Sequence, residues 1–214
     1  MKRLWPGWLL CLLTAGLFLW IYLVAVPPVT ALIDGMKLPD QLLLGYDDEG
    51  ARGLFSALVS DHTAAQAAGR ASASETYVAL HAGFDLVLPP LLAGSIGFLA
   101  FAALYRPAQS VPAVQVPSVV GVGFGLVLAL AFTYLASDFI ENSVADAMFG
   151  PQALDLAFNE DFVFVLQVLT RSKFASLGLA FGLIAALWIW RLKSARSAGA
   201  SEAETKPSDS DSTS

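Results

Sequence analysis

Four apolar stretches, separated by polar and mostly acidic segments, set the plan of the chain. Residues 4–26 carry no charge and follow Lys2-Arg3, the pattern of a membrane helix with a positive flank. Residues 77–105 are apolar apart from His81 and Asp85, residues 116–138 form a glycine-rich run, and residues 174–190 are again uncharged. Each is long enough to cross ~30 Å of hydrocarbon as a helix. The pattern predicts an all-α integral membrane protein over residues 1–196, a four-helix transmembrane bundle with helical outer segments. The first stretch reads as an uncleaved span. Signal-peptide apolar regions are shorter, and the small-residue site Val29-Thr30-Ala31 falls after Pro27-Pro28, late for cleavage.

The segments between the spans differ from one another. Residues 27–76 hold Asp34, Asp40, Asp47, Asp48, Glu49, Asp61 and Glu75 against Lys37, Arg52 and Arg70. Within them, Asp47 or Asp48 is placed to cap a helix whose apolar stripe is Leu54, Phe55, Leu58 and Val59, prolonged by the Ala-rich residues 64–73. A segment of this length cannot bury a core of its own, so it is expected to lie on the bundle or the membrane surface. Residues 143–173 form the second outer segment, and their apolar end, 162–169, is either an extension of helix four or an interfacial piece. Residues 197–214 have almost no large apolar side chain, the composition of a disordered tail. In the second span Pro89-Pro90 predicts an interruption that frees the carbonyls of Asp85 and Leu86.

Charge sets the expected orientation. Lys2, Arg3, Arg106, Arg191, Lys193 and Arg196 fall at one side of the spans, and Trp5, Trp8, Trp188 and Trp190 mark the same interface. The positive-inside rule then puts both termini in the cytoplasm, and the expected location is an inner (plasma) membrane. Composition narrows the function. Of 214 residues, 56% are hydrophobic and 14% charged, against roughly a quarter charged in soluble domains. The net charge of -6 and the lack of a basic run argue against a nucleic-acid partner. Cys11 is the lone cysteine, so neither an internal disulfide nor a C-x-x-C redox pair is available. With no phosphate-binding glycine loop, nucleophile elbow or cofactor-lysine motif, no cofactor is expected.

Two patterns remain. Small residues recur every four positions at Gly121, Gly125, Ala129, Thr133 and Ser137, at Gly178, Gly182 and Ala186, and at Ala93 and Gly97. Such rows predict close helix packing within the chain, or homodimerisation through the same faces. The other pattern is polar. Asp138, Glu141 and Asn142 share one helix face, as do His81 and Asp85, and Thr170 with Lys173. At ~1.5 Å per residue, Asp85, Asp138 and Lys173 each lie ~27–31 Å from the cytoplasmic ends of their helices. Three helices therefore deliver charge to one height, near the outer edge of the membrane core.

The economical reading is a staple in which Lys173, with Arg171 in reserve, pairs with Asp138, Glu141 or Asp85. One histidine and three carboxylates also make a ligand set for a divalent metal, although no spaced metal motif is present. An acid/base reading would use Asp85 or Glu141 as the base, with Lys173 stabilising charge. A transport path is disfavoured, because below this level the spans offer only Thr133, Ser95 and Thr14.

At Gly45-Tyr46, at His81 and Asp85 followed by Pro89, at Asp138-Phe-Ile-Glu141-Asn142 and at Thr170 with Lys173, the chain resembles a widespread family of uncharacterised bacterial four-span membrane proteins. The shared features are D-x-x-x-P in helix two, D-x-x-E-N in helix three and a Thr–Lys pair entering helix four, over roughly residues 1–195. More loosely, it is similar to four-helix sterol-isomerase and sterol-binding membrane proteins, whose carboxylates line a bundle pocket. The first resemblance implies the architecture and no chemistry. The expected function is a non-catalytic membrane bundle that binds a lipid, an apolar small molecule or another membrane protein. The alternatives are a membrane enzyme acting on a lipid by carboxylate acid/base chemistry and a divalent-metal site at the outer ends of helices two to four.

Overall fold

In the computed structural model, which describes residues 4–105 and 118–204, the regular structure is helical throughout. The helices are α1 (Trp5–Ala31), α2 (Asp48–Ala68), α3 (Ala73–Ala82), α4 (Phe84–Leu104), α5 (Ser118–Phe149) and α6 (Glu160–Glu204). Four stretches are long and apolar enough to cross a membrane: Trp5–Ala31, Phe84–Leu104, Val120–Phe149 and Glu160–Lys193. The fold is an all-α membrane bundle. Lys2, Arg3 and Arg106, used above for orientation, lie outside the described residues, as does the tail beyond Glu204.

Three boundaries differ from the sequence reading. Pro27-Pro28 does not end the first helix. A π-helical turn over Ile21–Ala25, closed by the Val26 N–H donating to the Ile21 carbonyl, widens the helix just before the prolines, and it continues to Ala31. Such a turn accommodates residues that cannot donate to the ordinary i−4 carbonyl. The second span is interrupted at Gly83 (φ -108°, ψ -92°) rather than at Pro89-Pro90, which sit within α4. Pro89 and Pro90 are the sixth and seventh residues of α4, beyond its first turn, so each leaves the carbonyl four residues back, that of Asp85 or Leu86, without its helical donor, yet the helix runs through them. The tail also differs: α6 starts at Glu160, so that residues 162–169 are the extension of helix four that was one of the two alternatives, and it runs on as one continuous helix through Glu204, past the expected start of the tail at 197. The Ala and Glu residues there favour a helix.

The first outer segment folds over the bundle as a cap. Asp47 caps α2 by accepting a hydrogen bond from the Gly50 N–H at 2.8 Å, and Gly69, at φ +64°, ends it in the left-handed conformation that glycine adopts without strain. Ser72 and Glu75 then form a reciprocal capping box at the start of α3. The α2–α3 corner is held by buried Asp61, which accepts from Arg70 at 2.5 Å and from the Ala73 N–H at 2.6 Å. The Ser74 hydroxyl donates to the Phe149 carbonyl at 2.5 Å and so ties α3 to the end of α5. Gly45 has φ +76°, and a Cβ there would stand 3.1 Å from the Gln167 Cα, so only glycine lets this loop lie against α6.

Two apolar cores result. One lies in the cap and joins Val29, Ile33, Leu54, Leu58 and Tyr77 to Met148, Phe149, Val163 and Leu166. Leu54 and Leu58 are each fully buried, worth about 1.5–3 kcal/mol apiece. The other fills the far half of the bundle with Ile96, Ala100, Val127, Ala131, Ala180, Ile184 and Leu187. At that far end the Arg191 guanidinium donates to the Ala102 carbonyl at 2.5 Å and lies over the Trp188 ring.

The small-residue rows of α5 and α6 do not make these contacts. Gly121, Gly125, Gly178 and Gly182 are exposed, and a Cβ on any of them would meet nothing within 4 Å; Ala129 is exposed as well. They lie on faces turned away from the bundle, while α5 and α6 meet through larger apolar side chains. The α4 row does pack closely: a Cβ at Gly97 would stand 3.3 Å from Leu128, and close approach also occurs at Gly7, where a Cβ would overlap the Phe98 ring.

Candidate functional site

Between the two cores lies a layer of ionisable side chains. Lys173, one turn into the bundle from Thr170 on α6, is 5% exposed. Its ammonium contacts Glu141 directly and stands 3.2 Å from both Asp138 on α5 and Asp40 on the loop before α2. Glu141 is fully buried, and its Oε1 accepts the Thr170 hydroxyl at 2.5 Å. The D-x-x-E-N face of α5 and the Thr–Lys pair of α6 are thus brought together. Asn142 is buried beside them but is not a ligand of the ammonium. Arg171 takes no part: it donates to the Leu44 carbonyl at 3.2 Å, on the side facing the loop.

His81 organises the other half of the layer. Its Nδ1 meets Asp146 Oδ1 at 2.5 Å, and its Nε2 faces Asp40 Oδ2 at 3.6 Å and Asp85 Oδ2 at 3.9 Å. Despite the break at Gly83, His81 and Asp85 keep the i, i+4 proximity expected of one helix. The imidazole side chain is 3% exposed, yet its Nε2 has no hydrogen-bond partner. Burial disfavours the imidazolium, but the hydrogen bond and charge of Asp146 and the nearby Asp40 outweigh it and push the His81 pKa up to about 10. Asp40 shows the converse: burial raises its pKa, and Lys173 with His81 brings it well below the ordinary carboxylate range. The Tyr77 hydroxyl also donates to Asp40 Oδ2, at 3.2 Å.

Asp40 and Asp146 are the two participants that sequence reasoning missed. Asp146 carried a usable signal, since Asp138, Asn142 and Asp146 follow one another at four-residue spacing. Asp40 carried none. It sits in a 3-10 turn (Pro39–Gln41) whose position depends on Leu38 packing into the cap core and on Gln41 accepting the Leu38 N–H at 2.8 Å.

The layer opens onto a cavity of about 150 Å³. Phe18, Ile21, Tyr22 and Val26 on and beside the π turn of α1 form one wall. Leu88, Pro89 and Leu92 of α4, Tyr134 of α5, and Phe174 and Leu177 of α6 supply the rest. Asp40, Asp85, Asp138 and Lys173 stand at its polar end. Because α1 packs chiefly on α4, the cavity occupies the space between α1 and the α5–α6 pair. Chemically, the arrangement offers an apolar slot that ends at buried Asp138, half-buried Asp40 and Asp85, and one ammonium.

Compared with protein-family models, curated proteins and solved structures, the chain finds no match. Geometry alone therefore carries the functional reading.

Proposed function

We propose that this protein is a ligand-binding membrane bundle whose cavity takes the end of an amphiphile, apolar along α1, α4 and α6 and polar where it reaches the ionic layer. The observation that carries the reading is the cavity itself, apolar walls closed at one end by Asp40, Asp85, Asp138 and Lys173. A cavity of about 150 Å³ accepts a group of roughly benzene's size. It therefore takes the end of a lipid chain or one ring of a larger apolar molecule, with the remainder along exposed Phe18 and Tyr22. Four-span family membership and the inner-membrane setting belong to the same proposal, with the cap outside and both termini cytoplasmic. The clustering of Arg191 with Trp188 at the end opposite the cap supports this orientation under the positive-inside rule.

The test is lipid analysis of the full chain purified in mild detergent, parent against Leu177→Trp, which fills the cavity. The parent should retain a bound lipid or apolar molecule and the variant, equally monodisperse, should have lost it. Equal retention by both proteins would refute the proposal.

A further inference from the structure

We propose that Asp40, His81 and Asp85 form a binding site for one divalent zinc ion, with Asp146 orienting the imidazole and the fourth coordination position open to the cavity. This goes beyond ligand binding and does not depend on it.

The first argument is the state of His81. A buried imidazole nitrogen normally finds a hydrogen-bond partner, yet Nε2, on a side chain 97% buried, has none. It points between two carboxylate oxygens, both beyond hydrogen-bond distance at 3.6 and 3.9 Å. The three candidate ligand atoms lie within 4.8 Å of one another. In a four-coordinate zinc site with bonds of ~2.0–2.1 Å, ligand atoms are about 3.3 Å apart. The observed spacing is wider by amounts that side-chain rotation can close.

The second argument is what surrounds the three ligands. Histidines that bind metal usually give their other ring nitrogen to a carboxylate or carbonyl, which fixes the ring and its tautomer. His81 Nδ1 lies 2.5 Å from Asp146. Asp40 is held in the same way, its Oδ1 by Lys173 and its Oδ2 by the Tyr77 hydroxyl, each at 3.2 Å. The third argument is charge. Among the described residues, Asp40, Asp85, Asp138, Glu141 and Asp146 contact two basic side chains, Lys173 and His81; with His81 a neutral ligand, Lys173 alone faces the five acids, an excess that a divalent cation offsets. An imidazole with two carboxylates selects zinc over the harder magnesium and calcium. An ion can enter from the side of Asp40 and Asp146, whose side chains are 34% and 35% exposed.

The experiment uses the full-length protein in detergent, stripped with chelator, loaded with zinc and passed through a desalting column before elemental analysis. The parent should retain one equivalent of zinc, compete poorly for magnesium and calcium, and melt higher with zinc than without. Asp85→Asn and His81→Gln should each lose the retained equivalent, and Asp146→Asn should weaken binding roughly 10- to 100-fold. His62→Gln, the other histidine, should bind as the parent does. Asp85→Asn keeps the test decisive if His81→Gln fails to fold. Leu177→Trp should retain zinc, which separates failure of this site from failure of the cavity proposal. Zinc retained equally by the parent, Asp85→Asn and His81→Gln would mean an adventitious ion only and would overturn the proposal, as would a parent that retains none.

Discussion

Removing charge from the layer should have strongly unequal effects depending on which partner is removed. Lys173 is the only ammonium contacting Glu141, Asp138 and Asp40 among the described residues. Lys173→Met leaves Glu141 and Asp138 without an ammonium between the two apolar cores. Removing one partner of a buried ion pair costs ~3–5 kcal/mol, and that range is expected here, since Glu141 and Asp138 lose their ammonium while Asp40 keeps Tyr77 and His81. Glu141→Gln leaves Lys173 with two carboxylates at 3.2 Å and leaves an amide oxygen for the Thr170 hydroxyl. What is lost is one charge-assisted contact, ~1–3 kcal/mol. The double variant removes one stranded acid from Lys173→Met and should be more stable than that single variant by about 1–2 kcal/mol, a coupling typical of residues in contact. Unfolding free energies from SDS titration in mixed micelles would measure all four proteins. If Glu141→Gln costs as much as Lys173→Met, or if the two changes add without coupling, the ammonium is not shared as described.

Two further outcomes follow from the cap and the helix contacts. Asp61→Asn should cost ~1–3 kcal/mol, since the buried carboxylate accepts from Arg70 and the Ala73 N–H. Burial raises the Asp61 pKa, but those two donors and the Arg70 charge hold it below the ordinary value. Its contribution is therefore complete above the unfolded-state pKa near 3.9 and disappears as pH falls through the lower folded value. Thermal melts between pH 7 and pH 3 should show the gap between parent and Asp61→Asn closing only at the acid end; a gap that is constant with pH would contradict the carboxylate's role. Gly7→Ala should cost ~1–3 kcal/mol because its Cβ meets the Phe98 ring. Gly178→Ala, with open space around it, should be neutral or stabilising by up to ~1 kcal/mol. Equal effects at the two glycines, measured by the same SDS titration, would show that the α1–α4 contact is wrong.

The four spans were legible because each is an uninterrupted apolar run, and the Asp47 cap because an acid precedes an apolar stripe. The meeting of Asp138 and Glu141 with Lys173 was legible from equal helix rise in two spans. Their surroundings were not. Helix rise placed the charges beside water, whereas the cap roofs them and leaves Glu141 fully buried. That roof depends on where a loop settles, and loop placement is set by contacts distant in sequence, as the burial of Leu38 beside Val29 and Leu54 shows. The small-residue rows of α5 and α6 face away from the bundle, whereas Gly97 of the α4 row packs on Leu128. A four-residue repeat of small side chains defines a face of a helix, but not what that face meets. Proline was misleading at both double-proline sites. A proline removes one helical bond without having to end the helix: α4 runs unbroken through Pro89 and Pro90, and in α1 a π turn precedes Pro27 and Pro28.

The ionic layer also has a consequence for biosynthesis. Its acids arrive early: Asp40 follows the first span, Asp85 lies in the second, and Asp138 and Glu141 lie in the third. The one lysine that joins three of them arrives with the fourth span. Until the ribosome has delivered α6, Asp138 and Glu141 have no ammonium to meet and the cap has no complete surface on which to settle. Closure of the bundle is thereby deferred to the last insertion step. A chain arrested after the third span would carry Asp138 and Glu141 in α5 without the ammonium that joins them.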